Sequence, residues 1–256
     1  MKAVVIIPAR MAASRFPGKP LKKILGIPMI GHCYKRAELA LGSNAVYVAT
    51  CDHEIAKYVK GISGHIVMTS SHHQRATTRT AEALEIIESE LGQEIEIVIM
   101  VQGDEPLVSP MSIKLMLEIF SDREVQVCNL MTKLKTIDSF IDKNNVKVVI
   151  DKNNDALYFS REPIPSAWKG VKEINMYMQT GIIGFRRGSL IAFNQLDEGI
   201  LEKIESIDMI RLLELGKKIR MVEVNGPMIG VDTQIDLNAA EALMVEDTVY
   251  PKYSKI

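Results

Sequence analysis

The sequence predicts an α/β fold built on a doubly wound, mixed and mostly parallel sheet. The first observation behind this prediction is a series of short apolar runs, rich in β-branched residues and without polar alternation, as in strands buried on both faces. The second is that segments of helical periodicity separate these runs, which is the rhythm of successive βαβ units. The third is a length of 256 residues without a repeat or a linker-like stretch, which predicts a single domain over residues 1–256.

Strands and helices alternate through the first half of the chain. The predicted strands are residues 3–7, 45–50, 65–68 and 95–101, and the predicted helices between them are residues 29–41, 54–60 and 79–91. The third helix has a clear apolar face, because Leu84, Ile87 and Leu91 recur at spacings of three or four residues. In a sheet of this kind, we expect the loops after the carboxyl ends of the strands to carry the functional residues.

The second half of the chain is less regular. We predict strands at residues 146–150, 156–159, 180–185 and 218–224, and helices at residues 201–215 and 236–245. A region of about 125–185 is expected to be a small accessory part of the domain. The final segment, P-K-Y-S-K-I, is expected to fray, as chain termini commonly do.

Composition and charge narrow the function classes. Hydrophobic residues make up 47% of the sequence and charged residues 25%. The 31 Lys+Arg and 32 Asp+Glu residues leave a net charge of -1. This charge gives no electrostatic reason to expect a nucleic-acid or membrane partner. The N-terminal apolar run is too short for a signal peptide, and no stretch approaches the ~18 apolar residues of a membrane span. We therefore predict a cytoplasmic protein. Three widely separated cysteines argue against a disulfide scaffold or a structural zinc site.

A basic loop follows the first predicted strand. Residues 8–20 read P-A-R-M-A-A-S-R-F-P-G-K-P and concentrate Arg10, Arg15 and Lys19 in a loop stiffened by prolines. At the carboxyl end of a parallel strand, such a loop can wrap a triphosphate with backbone N–H groups and cationic side chains. It matches neither the Walker A spacing nor G-x-G-x-x-G. The alternative interpretation is a solvated basic turn.

Two acidic motifs are candidate metal sites. V-Q-G-D-E-P, residues 101–106, follows the strongest predicted strand, and Asp104 on its tight turn is a candidate ligand of a divalent cation. Glu105 is expected only to start the next helix, and an ordinary turn acid is the alternative for Asp104. In G-V-D-T-Q-I-D-L, residues 230–237, Asp232 could supply a second ligand, while Asp236 is expected to cap a helix.

Taken together, the motifs resemble those of the 3-deoxy-manno-octulosonate cytidylyltransferases (CMP-KDO synthetases). The similarity begins with the basic loop and V-Q-G-D-E-P and runs along the whole chain. Its further motifs are H-Q-x-x-T-x-R at 73–79, N-V-K-V-V-I-D at 145–151, A-L-Y-F-S-R-x-P-I-P at 156–165 and G-V-D-T-x-x-D-L at 230–237. The resemblance implies a glycosyltransferase-A-like fold, a homodimer, Mg²⁺ as cofactor, and CTP and an acidic 3-deoxy-ulosonate sugar as substrates, for bacterial surface polysaccharide (lipopolysaccharide) synthesis.

The resemblance also implies roles for individual residues, by position. Arg10, Arg15 and Lys19 would contact the triphosphate, and Asp104 and Asp232 would bind Mg²⁺; of these, Arg10, Lys19 and Asp104 are the expected catalytic residues. Pro8, Ala9 and Gln102 would approach the cytosine, with Arg79 nearby. Arg161 would face the acidic sugar.

The chain departs from the family pattern around the expected ribose and sugar sites. It has Arg75-Ala76 where the family usually has Ser-Gly, and we expect Arg75 either to contact the nucleotide or to point into solvent. Gln179 stands where the family usually has a His, and Ile183 stands where it usually has a Tyr. The pair Asp208-Met209 stands where the family usually has Glu-Gln. Gln179 and Asp208 are still assigned to the sugar side. These departures leave open an amino- or nonulosonate-type sugar acid as acceptor, or a catalytically altered nucleotide-binding homologue.

Overall fold

The structure is a computed structural model, and it describes residues 2–12, 15–166, 168, 170, 175–226 and 228–254. Its strands are β1 (Ala3–Pro8), β2 (Lys23–Ile24), β3 (Ile27–Pro28), β4 (Val46–Thr50), β5 (His65–Met68), β6 (Ile97–Val101), β7 (Val127–Lys133), β8 (Lys147–Ile150), β9 (Ala156–Ser160), β10 (Tyr177–Arg186) and β11 (Arg220–Glu223). Its helices are α1 (Met29–Leu41), α2 (His53–Gly61), α3 (Ala76–Leu91), α4 (Pro110–Ile119), α5 (Ile137–Ile141), α6 (Arg187–Asn194), α7 (Ile200–Glu205), α8 (Ile210–Glu214) and α9 (Gln234–Val245).

Nine of the described strands form one mixed sheet. Its main path runs β11-β7-β10-β6-β1-β4-β5, with β8 paired to β10 and β9 paired to β8. Strands β6, β1, β4 and β5 are parallel neighbours, β11 is parallel to β7, and β10 lies antiparallel between β6 and β7. The predicted doubly wound, mostly parallel α/β sheet is confirmed.

Hydrophobic clusters cover both faces of this sheet, which explains the unbroken apolar run in β1. Val4 and Ile6 belong to the cluster under α3 and α6, whereas Val5 and Ile7 belong to the cluster under α1 and α4. Each of these four side chains is at most 2% exposed. Because consecutive strand residues point to opposite faces, only a strand buried on both sides requires four apolar residues in succession.

A third, smaller cluster lies beside the main sheet. It joins Ile24 of the short β2–β3 hairpin, Leu107 after β6 and Val231 before α9 to Leu237 on α9 itself. The chain segments on either side of these residues carry the basic loop and both acidic motifs. Helix α9 therefore holds three separate loops together at one end of the sheet.

The region 125–185, expected to be an accessory part, supplies strands β7 to β10, four of the nine strands of the sheet. Strand β10 pairs with β6 on one side and with β7 on the other, so both β7 and β10 are integral to the domain. Strands β8 and β9 form a hairpin that continues the sheet from β10. Of the segment between β9 and β10, the structure describes residues 161–166, 168, 170 and 175–176.

The predicted single helix over 201–215 is wrong, since the structure has two helices there. Helix α7 ends at Glu205, and the next residue, Ser206, adopts a left-handed conformation with φ 55°. A left-handed residue breaks the helical hydrogen-bond series and redirects the chain. Of the apolar residues that suggested one helical face, Ile204 lies on α7, Ile210 and Leu213 lie on α8, and Ile207 and Met209 lie in the turn between them.

The C-terminal segment does not fray at residues 250–253. Tyr250–Lys252 form a short 3-10 helix, and Tyr253 is only 3% exposed. Its hydroxyl lies 2.8 Å from Nδ1 of His32 and accepts a hydrogen bond from Nε of Arg36 at 3.0 Å. The prediction of a frayed tail failed because its aromatic residues dock on α1, a long-range contact that the local pattern cannot reveal.

In the part of the chain that the structure describes, no helix combines the length and apolarity needed to cross a membrane.

Candidate active site

A cleft of about 270 Å³ opens at the carboxyl ends of β1 and β6. Its walls come from the loop after β1, the turn after β6, the segment that leads into α3, and the residue before the cap of α9. All ten residues predicted for nucleotide, phosphate or metal contact line it: Pro8, Ala9, Arg10, Arg15, Lys19, Arg75, Arg79, Gln102, Asp104 and Asp232. The parallel pairing of β1 with β6 explains this convergence, because both strands end at the same edge of the sheet.

Lys19 lies between the two acidic motifs. Its Nζ is 2.6 Å from Oδ2 of Asp104 and 2.9 Å from Oδ1 of Asp232, and it donates to the carbonyl oxygen of Val231 at 3.1 Å. The N–H of Val231 in turn donates to the carbonyl oxygen of Asp104 at 2.9 Å. Burial alone would lower the pKa of Lys19, but the two carboxylates outweigh it and raise that pKa above its ordinary value. Lys19 therefore remains cationic at any ordinary assay pH.

Arg15 reaches the same carboxylate from the other side. Its Nη2 is 2.7 Å from Oδ2 of Asp232, and its Nη1 donates to Oδ1 of Asn144 at 2.8 Å. The Arg15 side chain is 53% exposed, so it can rearrange when a ligand enters. Asn144 was not predicted as a site residue. It lies in N-x-V-K, just before β8, and only its contact with Arg15 reveals its place beside the cleft.

The turn after β6 is held tightly against its neighbours. The N–H of Gly103 donates to the carbonyl oxygen of Pro8 at 3.2 Å, and a Cβ at Gly103 would lie 3.1 Å from that oxygen. The N–H of Gln102 donates to the carbonyl oxygen of Gly181 on β10 at 3.0 Å. Glycine is thus needed at position 103 for the β6 turn to approach the end of β1 so closely.

Glu105 has a role that the sequence did not indicate. Instead of starting a helix, its carboxylate is buried and accepts a hydrogen bond from the N–H of Gly181 at 2.7 Å, while α4 begins at Pro110 with Ser109 as its cap. Burial raises the pKa of Glu105 to about 8, and the neighbouring charge of Asp104 adds to this effect. This hydrogen bond connects the turn after β6 to an irregular part of β10, where the register of β10 with β7 shifts.

Two further arginines of the cleft lining, Arg10 and Arg79, contact protein groups. Arg10 donates from Nη1 to the carbonyl oxygen of His73 at 3.3 Å. Arg79, on α3, is 3% exposed and donates from Nη1 to Oγ1 of Thr69 at 2.5 Å and to the carbonyl oxygen of Ser70 at 3.2 Å. These bonds order the segment between β5 and α3, which carries part of the cleft lining.

Arg75 lines the cleft, but its guanidinium faces acidic side chains. Its Nε lies 3.5 Å from Oε1 of Glu198, and its Nη2 lies 4.0 Å from Oε1 of Glu202 on α7. The sequence offered two alternatives for this arginine, a ligand contact or exposure to solvent. The structure adds a third arrangement, an ion pair within the protein, and a nucleotide contact by Arg75 stays a prediction.

The residues predicted for the sugar do not line this cleft. Arg161 donates to the carbonyl oxygens of Lys143 and Glu205, both at 2.9 Å. Asp208 accepts a hydrogen bond from the hydroxyl of Thr77 at the start of α3, and burial raises its pKa. The Oε1 atom of Gln179, on β10, is buried and has no hydrogen-bond partner in the described part of the chain. A sugar contact by Arg161, Gln179 or Asp208 stays a prediction.

The two carboxylates that face Lys19 are the candidate metal ligands of the cleft. Within the described residues, no group of three or more His, Cys, Asp or Glu side chains converges on one point. Mg²⁺ does not require such a cage, since it commonly takes one or two carboxylates and completes its shell with water and substrate phosphates. Asp104 and Asp232 therefore fit a magnesium ion that arrives with a phosphate ligand.

Comparisons with known proteins give consistent results. Residues 4–219 match the family described as Cytidylyltransferase. The 3-deoxy-manno-octulosonate cytidylyltransferase of Geobacter metallireducens is 38% identical over 249 residues, covering 93% of this chain and 96% of the relative. The protein of the same name from Escherichia coli is 36% identical over 247 residues, covering 96% and 97%.

Solved structures agree with the sequence matches. A structure of CMP:2-keto-3-deoxy-manno-octonic acid synthetase complexed with CTP superposes with a TM-score of 0.85 at 36% identity, covering 96% of this chain and 99% of the other. A cytidylyltransferase from Leptospira borgpetersenii has a TM-score of 0.64 at 15% identity, covering 96% and 88%, and supports the fold alone.

Proposed function

The chain belongs to the cytidylyltransferase family, and on that premise we propose that this nucleotidyltransferase activates 3-deoxy-manno-octulosonate with CTP. The products would be the CMP-sugar and pyrophosphate, for the synthesis of a bacterial surface polysaccharide. The observation that carries the proposal is the convergence of Lys19 with Asp104 and Asp232 in one cleft. A cationic side chain between two carboxylates suits a site that receives a triphosphate together with a divalent cation.

The reaction requires little covalent chemistry from the protein. The anomeric hydroxyl of the sugar acid attacks the α-phosphorus of CTP, a new O–P bond forms, the bond from the α-phosphorus to the bridging oxygen breaks, and pyrophosphate leaves. Positioning and charge neutralisation dominate such a transfer. Arg10, Arg15 and Lys19 are proposed to bind the phosphates.

Mg²⁺ is proposed as the cofactor, with Asp104 and Asp232 as the residues that hold it. When bound, the ion would neutralise phosphate charge and polarise the reacting oxygens. The two carboxylates supply hard oxygen ligands, the type that Mg²⁺ prefers. Chelation by EDTA should abolish turnover, and added Mg²⁺ should restore it; activity that persists in EDTA would contradict this part of the proposal.

The remaining predicted residues are proposed to orient the two substrates. Pro8, Ala9 and Gln102, with Arg79 nearby, would approach the cytosine, because they lie in the cleft at the carboxyl ends of β1 and β6. On the acceptor side, the proposed residues are Arg161, Gln179 and Asp208. The Oε1 atom of Gln179 has no hydrogen-bond partner in the described part of the chain, so a hydrogen-bond donor is still missing there.

A substrate panel tests the proposed function. The purified protein is assayed for pyrophosphate release with CTP or UTP and with several sugar acids, including amino-substituted and nonulosonate-type acids. CTP with unmodified 3-deoxy-manno-octulosonate should give the highest kcat/KM. A higher kcat/KM with another sugar acid would assign that acid's class as the acceptor. The absence of sugar-dependent pyrophosphate release from CTP would contradict the proposed function itself.

A homodimer in the cytoplasm is proposed as the working form. Leu157 on β9 and Ile200 and Ile204 on α7 are large apolar side chains that the single chain leaves exposed, as at contact surfaces between subunits. The proposed substrate CTP is a cytoplasmic nucleotide. Sedimentation equilibrium should give twice the chain mass of 28.6 kDa, and a monomer at micromolar concentration would contradict the dimer.

A further inference from the structure

Arg75 joins the cleft wall to a group of carboxylates behind it. This residue stands at the N-cap position of α3 and lines the cleft. Behind it lie Glu198, Glu202 and Asp208, which we call the acidic cluster. A large cation on the wall of the cleft, in contact with carboxylates, calls for a physical reason.

The cluster already contains one well-formed ion pair. Glu202 is fully buried, and Arg211 holds it with two bonds, from Nε to Oε2 at 2.7 Å and from Nη2 to Oε1 at 2.6 Å. Arg75 approaches the same carboxylate at 4.0 Å and Glu198 at 3.5 Å. A second guanidinium is therefore present where the buried carboxylate is already satisfied.

The charge balance explains why a second cation is useful. With every group ionised, the three carboxylates of the cluster face two guanidiniums, from Arg75 and Arg211. Burial raises the pKa of Asp208, while the hydrogen bond from Thr77 and the charge of Arg75 act in the opposite direction. Removing Arg75 would leave this side of the cleft with one further uncompensated negative charge.

An uncompensated charge here would act on the substrates. CTP and a sugar acid are both anionic, and like charges repel over distances comparable with the Debye length, about 8–10 Å at physiological salt. Arg75 both lines the cleft and lies within 4.0 Å of Glu198 and Glu202. Its positive charge therefore offsets carboxylates that lie beside the cleft.

We infer that Arg75 is a positioning residue that neutralises Glu198 and Glu202 and so keeps this wall of the cleft from repelling anionic substrates. It acts through those carboxylates and not through a bond of its own to the nucleotide. The inference rests on the proposed function for the identity of the two substrates.

The test compares four variants at low salt and at about 1 M KCl, where the Debye length falls to about 3 Å. Arg75→Gln removes the charge, Arg75→Lys keeps it, and Arg75→Gln combined with Glu198→Gln removes both partners. Arg123→Gln, an exposed arginine away from the cleft, is the matched control. KM and kcat are measured for CTP and for the sugar acid, and calorimetry measures the binding of CTP without turnover.

At low salt, Arg75→Gln should raise both KM values about five-fold with kcat within about two-fold of wild type. High salt should shrink that difference, Arg75→Lys should restore most of the loss, and the double variant should return close to wild type because the repelling carboxylate is gone. A KM that stays raised in the double variant would mean a direct ligand contact and overturn the inference, as would unchanged KM values in Arg75→Gln.

The calorimetric measurement separates this inference from the proposed function. If wild-type protein releases no pyrophosphate from CTP and the sugar acid, the proposed function fails, but the affinity for CTP still reports on Arg75. Weaker CTP binding in Arg75→Gln, recovered in the double variant, would uphold the inference in that case. Equal CTP affinity in wild type and Arg75→Gln would overturn it.

Discussion

Lys19 and Asp104, 85 positions apart in the sequence, form an ion pair of 2.6 Å in the cleft. The pair joins the loop after β1 to the turn after β6, and these two strands are parallel neighbours in the sheet. Asp232 completes the arrangement from the segment before α9. The partly buried ammonium thus bridges two carboxylates that would otherwise repel each other.

Asp104→Asn tests the role of this carboxylate. The loop position contributes little to the core, so the melting temperature should stay close to that of wild type. Activity should fall by several orders of magnitude, because a neutral amide holds a hard dication much less tightly than a carboxylate. Initial rates at millimolar Mg²⁺ check this, with Asp122→Asn on the exposed segment after α4 as the matched control. Near-normal turnover in Asp104→Asn would remove it from the metal site.

Lys19→Met should lower kcat by about 10²–10³, as when one preorganised donor to a developing anion is lost. Asp104 would lose its cationic partner and Asp232 would keep only Arg15, so CTP should also bind more weakly. Lys19→Arg keeps the charge with a different shape and should lose less activity. Steady-state kinetics on wild type, Lys19→Met and Lys19→Arg test this prediction. Equal rates in Lys19→Met and wild type would contradict a phosphate contact by Lys19.

Much of the fold was predictable because the sheet is buried on both faces. Strands β1, β4 and β6 consist of apolar, mostly β-branched runs, and the predicted bounds differ from the observed ones by two residues or fewer. Strand β7 escaped prediction because Asn129 interrupts its apolar run; in the structure, the buried Nδ2 of Asn129 donates to the carbonyl oxygens of Thr180 and Ile182 on β10. Such a long-range pairing leaves no local signal.

Like the fold, the candidate site was predictable from the sequence only in part. The residues after β1 and β6 were predictable, since motif and strand position together place them at one edge of the sheet. Asn144 and Glu105 were missed because their contacts, to Arg15 and to Gly181, come from segments distant in the sequence. The direction of the Arg75 side chain was equally hidden, since its partners lie on and before α7.

Stability should depend on pH through His32. Its Nε2 donates to the carbonyl oxygen of Ile24 at 2.9 Å, and burial lowers its pKa to about 4. In the unfolded chain the pKa is about 6.5, so the unfolded state binds a proton first as the pH falls. The stability from neutral His32 is complete above pH ~6.5 and is lost progressively down to about pH 4, with about 2 kcal/mol gone at pH 5.

Urea unfolding at pH 7 and pH 5 measures this contribution. In His32→Asn the fall in unfolding free energy between these pH values should be smaller than in wild type by about 2 kcal/mol. His53→Asn, at the exposed start of α2, should keep the wild-type difference. The same fall in His32→Asn as in wild type would show that His32 does not carry the effect.

Arg15→Gln should weaken CTP binding more than it slows the chemical step. The side chain is half exposed and pairs with Asp232, so its loss should raise KM for CTP several-fold with a smaller change in kcat. Asn144→Ala removes only the support from Oδ1 and should have a smaller effect in the same direction. An effect of Asn144→Ala on KM larger than that of Arg15→Gln would contradict this order of importance.

Direct transfer of the cytidylyl group is the central claim, and α-³²P-labelled CTP follows that group. With Mg²⁺ and 3-deoxy-manno-octulosonate, all transferred label should appear in a CMP-sugar formed in equal amount with pyrophosphate, and none should remain on the protein after denaturation. Label covalently bound to the protein, or no labelled product that depends on the sugar acid, would contradict the account.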